Sequence, residues 1–243
     1  MNGVHIEKKQ LTMKQHRFLI DVPLKKGTLS VTSKEQIHQI VSVLRLTKDD
    51  DIILVYNGEE GIARIQEIGE NHITLSVHEI TSCPVPSRDV YLACSLLRKD
   101  NVEWIVQKAT EIGVKGIIPF ISKRTVKTNI ATKRLEKIIK EAVEQSGWGR
   151  VPVLYDVKTF TDVLDTLTDV CDVLYLADNK THKSSSIQGA SCGVIVGPEG
   201  GLSEEEIAYA YQKGAQPLSL GNSTLRGETA AILSVYHVLY WKE

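Results

Sequence analysis

The run Leu-Ser-Leu-Gly-Asn-Ser-Thr-Leu-Arg-Gly-Glu-Thr-Ala-Ala-Ile at 218–232 constrains this chain more than any other stretch. Its periodicity changes in the middle. Leu218 and Leu220 alternate with polar residues, as at a strand end. Gly221, Asn222 and Ser223 are turn and cap residues. From Ala231 onward, Ala231, Val235, Val238 and Leu239 keep a helical spacing. Arg226, Glu228 and Thr229 sit in the junction between the two patterns. Taken alone, they read as solvated charges on a strand-to-helix connection.

A second junction of the same kind lies upstream. Gly-Val-Ile-Val at 193–196 is the short apolar run of a buried parallel strand. Gly-Pro-Glu-Gly-Gly follows at 197–201, then Leu-Ser-Glu-Glu-Glu at 202–206. Ser203 with Glu206 makes a capping box, which predicts a helix from about residue 203. Ligands of open α/β sheets sit at such strand ends. A phosphate loop would carry a lysine and no carboxylate, yet Glu199 lies inside this one. Neither the phosphate-loop string ending in Gly-Lys-Ser/Thr nor Gly-x-Gly-x-x-Gly occurs. The loop therefore suits a nucleoside without phosphates, and S-adenosylmethionine, with its cationic sulfonium, fits. As plain turn residues, the same glycines would need no ligand.

The rest of the chain divides in two. Residues 18–20 read as a first strand, and Ile37, Ile40, Val41 and Leu44 give a helix over 33–44, capped by Ser33 and Gln36. From Asp51 the period becomes two, with strands at 52–56, 61–65 and 72–77 and turn signals between them. Close strands of this kind predict a small β-barrel. Cys-Pro-Val-Pro-Ser at 83–87 reads as a linker. After it, strands at 90–94, 116–121, 151–154 and 170–176 alternate with helices at 101–113, 133–145 and 160–167. That alternation predicts a parallel sheet.

The 243 residues are enough for one large or two modest domains. Net charge is −1, but it is segregated. Residues 1–48 carry nine Lys/Arg against three Asp/Glu, and 88–150 carry thirteen against seven. The blocks 49–87 and 151–243 are acidic in compensation. Such blocks can gather basic faces on a nearly neutral protein, although ordinary surface scatter gives similar counts. Cys83, Cys94, Cys171 and Cys192 are scattered, which argues for buried reduced thiols rather than a zinc site or disulfides. No apolar run reaches the ~18 residues that cross a bilayer, and no secretory pattern opens the chain. A cytoplasmic location is expected, with neither membrane nor DNA as a partner.

The two junctions together resemble the paired cofactor-loop motifs of the SPOUT methyltransferases. More closely, the chain resembles the RsmE family, the uridine N3-methyltransferases of small-subunit (16S) ribosomal RNA. Gln-Lys-Ala-Thr-Glu-Ile-Gly-Val at 107–114, Glu-Gln-Ser-Gly at 144–147 and residues 38–46 share in the resemblance, which covers nearly the whole chain. Ser223, Gly227 and Trp148 depart from the family's usual arginine, threonine and arginine. The resemblance implies a PUA-like β-barrel RNA-binding domain over 1–84, with 1–12 a possible extension. It implies a SPOUT α/β domain over 85–243, whose parallel sheet carries a C-terminal trefoil knot. It also implies a homodimer acting on 16S rRNA, probed as naked RNA or within the small subunit.

The resemblance assigns Leu176, Gly197, Glu199, Gly200, Gly201, Leu220, Gly221, Thr224 and Leu225 to S-adenosylmethionine. A side chain at Gly200 is expected to fill the ligand's space. Methylating uridine N3 requires loss of the imide proton, so a cation near O2 or O4 would stabilise the developing anion. Arg226 is the candidate, with Glu228 gripping its guanidinium as a bidentate pair. The same pair could instead only fix the loop. No metal is implied. Arg17, Arg45, Lys99, Arg124 and Arg150, from the basic blocks, are candidate RNA contacts as a group, although each alone reads as a solvated charge. Two other activities stay open: a SPOUT enzyme methylating a ribose 2′-hydroxyl of rRNA or tRNA, and a non-catalytic RNA-binding protein.

Overall fold

The computed structural model describes residues 16–126, 129–178 and 185–240, with the side chain of Lys99 excepted. The possible extension over 1–12 lies outside them. The chain forms two compact units, one of residues up to 55 with 60–81, the other of 56–59 with 82 onward.

The first unit is built on a five-stranded sheet. Strands β1 (Arg17–Leu19), β2 (Gly27–Val31), β3 (Asp51–Tyr56), β4 (Glu59–Ile68) and β5 (Ile73–Ser82) lie in the order β1-β3-β4-β5-β2. β1 runs parallel to β3, whereas β2 runs antiparallel to β5. Along β4 and β5 alternate residues are buried, Ala63 and Ile65 on one strand and Ile73, Leu75 and Val77 on the other, as a half-solvated sheet requires. The helix expected over 33–44 is regular only in α1 (Lys34–His38) and continues as a π-helical turn, Gln39–Val43. There Leu44 N donates to Gln39 O at 2.9 Å, a bond spanning five residues. Gln36, buried on α1, ties the helix to β1 by donating to Leu19 O at 2.6 Å.

The second unit is a parallel α/β sheet, as the alternation predicts. Its strands are β6 (Asp89–Ser95), β7 (Gly116–Ile121), β8 (Val153–Leu154), β9 (Lys158–Thr159), β10 (Val173–Ala177), β11 (Ser191–Val196) and β12 (Gln216–Leu218). They lie in the order β12-β10-β11-β6-β7-β8, with β9 also on β7, and every pairing is parallel. The helices are α2 (Lys99–Ile112), α3 (Thr132–Ser146), α4 (Phe160–Val170), α5 (Glu204–Gln212) and α6 (Gly227–Tyr240). Their ends follow local chemistry. Gly113 and Gly147 close α2 and α3 in the left-handed conformation. Thr159 caps α4 by accepting from Asp162 N at 3.2 Å. Both arms of the Ser203–Glu206 capping box on α5 are formed.

One side of this sheet buries Ile118, Phe120, Leu174, Leu176 and Ile195 against Phe160, Leu164 and Leu167 of α4. Phe120 and Phe160 meet with ring centroids 5.6 Å apart. Helix α6 packs against β6, β11 and α2, burying Ala231, Val235, Val238 and Leu239. None of the four cysteines is in a disulfide: Cys83, Cys94 and Cys192 are buried and Cys171 is half-buried. Burial pushes Cys94 and Cys171 up to about 12 and Cys192 to about 11, so these three are not ready nucleophiles.

Candidate active site

Strands β10, β11 and β12 end side by side. In the ladder Ala177 pairs with Val196 and also with Leu218. Their C-terminal loops therefore leave the sheet from one edge, where α/β sheets place ligands. The loops enclose a cavity lined by Leu176 and Ala177 of β10 with Asp178 after it, and by Val196 of β11 with Gly197, Pro198, Glu199, Gly201 and Leu202 after it. Leu218, Leu220, Gly221, Ser223, Thr224 and Leu225 line it from the β12 side, and Gly227 and Ala230 of α6 complete it.

Two glycines are required by this geometry. At Gly197 an added Cβ would lie 2.9 Å from Leu202 Cγ and 3.2 Å from Leu202 N, because the loop folds back on itself there. Gly221 turns the chain at φ +106°, a region closed to most side chains. The walls are apolar at Leu176, Val196, Leu202, Leu218, Leu220 and Leu225, with carboxylates at Asp178 and Glu199. No lysine, arginine or histidine lines the cavity among the described residues. Such a site can cover an aromatic ring and tolerate a positive charge, but offers nothing cationic to a phosphate.

Eight of the nine residues assigned from the sequence line this cavity: Leu176, Gly197, Glu199, Gly201, Leu220, Gly221, Thr224 and Leu225. Gly200 does not. A Cβ there would face Arg124, 3.7 Å from its Cβ and Cδ. The glycine-rich string alone could not say which glycine turns inward. Ala177 and Asp178 were legible only as a strand end.

Arg226 and Glu228 flank Gly227, the first residue of α6. The expected bidentate pair between them is not formed. Positions two apart at a helix start point in different directions. Arg226 is exposed between two cavity-lining residues, Leu225 and Gly227, with no ion pair among the described residues. Glu228, half-buried, accepts a hydrogen bond from Asn101 Nδ2 on α2 at 3.1 Å. Nothing in the sequence marked Asn101, which lies 127 residues from its partner.

The basic candidates fare unevenly. Arg45 is exposed and held at φ +55°, in the left-handed region. Arg17 sits 3.6 Å from Glu60 and its Nε is buried. Arg150 is committed within the fold, donating to Asp89 Oδ1 at 2.6 Å. Arg124 donates from Nη1 to Gly200 O at 2.9 Å and to Leu202 O at 3.3 Å. Arg124 is thus exposed yet tethered to a loop backbone, whereas Arg17 and Arg150 are half-buried beside carboxylates. The side chain of Lys99 lies outside the described residues.

The fold and site define an RNA methyltransferase. The model of the RNA methyltransferase domain matches residues 84–238, and that of the RNA methyltransferase PUA domain matches 32–77. Ribosomal RNA small subunit methyltransferase E of Bacillus subtilis (strain 168) is 33% identical, over 89% of this chain and 91% of its own. Its namesake in Rickettsia conorii is 30% identical, over 93% of this chain and 96% of its own. The same-named protein of Neisseria gonorrhoeae, solved with S-adenosyl methionine bound, superposes with a TM-score of 0.83. It is 24% identical, and the match covers 91% of this chain and 95% of that one. The chain belongs to the ribosomal RNA small subunit methyltransferase E family.

Proposed function

We propose that this protein methylates N3 of a uridine in the 16S RNA of the small ribosomal subunit, using S-adenosylmethionine. The observation that carries the reading is the cavity at the ends of β10, β11 and β12, apolar, carboxylate-bearing and free of lining cations among the described residues. Those features suit an adenine ring and a cationic sulfonium. When bound, S-adenosylmethionine supplies an electrophilic methyl group and leaves as the neutral thioether. Residues of the three loops hold and orient the nucleoside, and orientation alone can contribute ~7–11 kcal/mol in favourable cases. Arg226, at the cavity's edge, stabilises negative charge on the uridine carbonyl oxygens as N3 gives up its proton to solvent water. Glu228 has a different role, fixing the start of α6 to α2 through Asn101.

On this reading residues 1–84 bind RNA and 85–243 transfer the methyl group, with the C-terminal segment threaded as a knot. Arg45 is a phosphate contact, since its side chain is exposed and carries no ion pair among the described residues. The protein is cytoplasmic and dimeric. The exposed face of α6 supports dimerisation, with Leu233, Tyr236 and Tyr240 at 42%, 56% and 36% exposure. No described helix is long and apolar enough to cross a membrane.

The test is incubation with small-subunit RNA and labelled S-adenosylmethionine, followed by mass analysis of nucleosides. Labelled 3-methyluridine is expected. A 2′-O-methylated nucleoside would replace this reading with ribose methylation, and absence of labelled product with measurable RNA binding would leave a non-catalytic binder. Light scattering that shows a monomer would remove the dimer.

A further inference from the structure

The loop that lines the cavity between β11 and α5 is held from outside by the turn that follows β7. Arg124 Nη1 reaches two carbonyl oxygens of the loop, Gly200 O at 2.9 Å and Leu202 O at 3.3 Å. Each belongs to a peptide group whose other end is also fixed. The peptide joining Gly200 to Gly201 donates its N–H to Pro198 O at 2.8 Å. The peptide joining Leu202 to Ser203 donates its N–H to Glu206 Oε2 at 2.8 Å. Two peptide planes are thus pinned at both ends, and Gly201 and Leu202, which border them, both line the cavity.

Arg124 is itself anchored. Lys123 N donates to the other oxygen of Glu206 at 2.8 Å, and Lys123 Nζ pairs with Glu205. Thr125 Oγ1 accepts from Ser122 N at 2.8 Å and bonds Ser95 Oγ, at the end of β6, at 2.7 Å. Ser95 and Ser122 are buried, so the turn has a rigid footing in the sheet. A charged donor shared by two carbonyls is a strong form of hydrogen bond, and a guanidinium suits it because its nitrogens lie in a fixed plane.

We propose that Arg124 is a positioning residue for the methyl-donor site: it sets the shape of the Gly197–Leu202 wall without touching the ligand. The proposal rests on the assignment of that cavity to S-adenosylmethionine. It separates Arg124 from the RNA contacts, where its charge and position in the sequence had placed it.

The experiment compares wild type, Arg124→Ala and Arg124→Lys. Calorimetry with S-adenosylmethionine in the absence of RNA gives the cofactor Kd. Filter binding of a small-subunit RNA fragment gives the RNA Kd and its salt dependence. Arg124→Ala should weaken cofactor binding about tenfold, the loss expected for a charged hydrogen bond. It should raise the KM for S-adenosylmethionine more than it lowers kcat, and speed hydrogen exchange of the Gly201 and Ser203 amides. Arg124→Lys should recover part of the affinity. An unchanged cofactor Kd with weakened, less salt-dependent RNA binding would overturn the proposal and make Arg124 a phosphate contact. Unchanged amide exchange in Arg124→Ala would overturn it as well. Wild-type protein that does not bind S-adenosylmethionine would instead defeat the cofactor assignment, and this proposal with it.

Discussion

Asn101 Nδ2 donates to Glu228 Oε2 at 3.1 Å, joining the first turn of α2 to the first turn of α6. Glu228 is thereby taken up, and Arg226 stays at the surface beside the cavity. The two charged residues of the junction have different surroundings. Glu228 also lies where the helix dipole favours an anion.

Arg226 should therefore be expendable for folding and costly for catalysis. Arg226→Ala is expected to shift stability by no more than about 0.5 kcal/mol, as for a surface change. It should lower kcat on the order of 10²-fold, the loss seen when a charge-stabilising donor is removed. Urea denaturation and steady-state methyl transfer measure the two. Full turnover in this variant would remove Arg226 from the mechanism.

The Asn101–Glu228 bond makes the opposite forecast. Asn101→Ala should cost about 1 kcal/mol, since a half-buried carboxylate loses its donor. Asn101→Asp should cost more, because two carboxylates would then face each other. Urea midpoints of both variants unchanged from wild type would show that the contact contributes little.

Regular periodicity and capping were legible in the sequence. Leu135, Ile139, Ala142 and Val143 make the buried stripe of α3, and Ser203 with Glu206 starts α5 as the spacing predicts. Strand β2, Gly-Thr-Leu-Ser-Val, was not legible: only Val31 is buried, so no apolar alternation marks it. Strand β9 is two residues long, too short to show a period. The π-helical turn at 39–43 was missed because its apolar residues fit an α-helical template. In the site, the loops were legible because glycine and proline punctuate them. The side chains that hold the loops were not. Arg124 and Asn101 act across 76 and 127 residues, and no local pattern records such partners.

Asp89, at the start of β6, should make stability fall in acid. Burial pushes its carboxyl up, but hydrogen bonds from Lys115 and Arg150 outweigh this and hold it below the ordinary 3.8. A depressed folded-state pKa contributes stability that is complete above 3.8 and lost as pH falls through the folded value. Asp89→Asn removes that contribution. The stability gap between wild type and variant should be larger at about pH 6 than at about pH 3. Urea denaturation at both values measures it, and a gap independent of pH would contradict the linkage.

The four glycines of the cavity loops should separate sharply on substitution by alanine. Gly197→Ala places a Cβ 2.9 Å from Leu202 Cγ and 3.2 Å from a backbone nitrogen, contacts that only movement of the loop relieves. Because Leu202 is a wall of the cavity, that movement reshapes the ligand site itself. Gly201→Ala and Gly221→Ala have open space but positive φ, +68° and +106°, and so incur backbone strain of about 1 kcal/mol or more. Gly200→Ala meets neither obstacle: its Cβ would rest at 3.7 Å from Arg124, an ordinary contact. Calorimetry with S-adenosylmethionine should therefore rank Gly200→Ala near wild type and Gly197→Ala weakest, by about tenfold or more, with folding of each variant checked by circular dichroism. Should Gly200→Ala abolish binding while Gly197→Ala spares it, the loop would have to present its opposite face to the ligand.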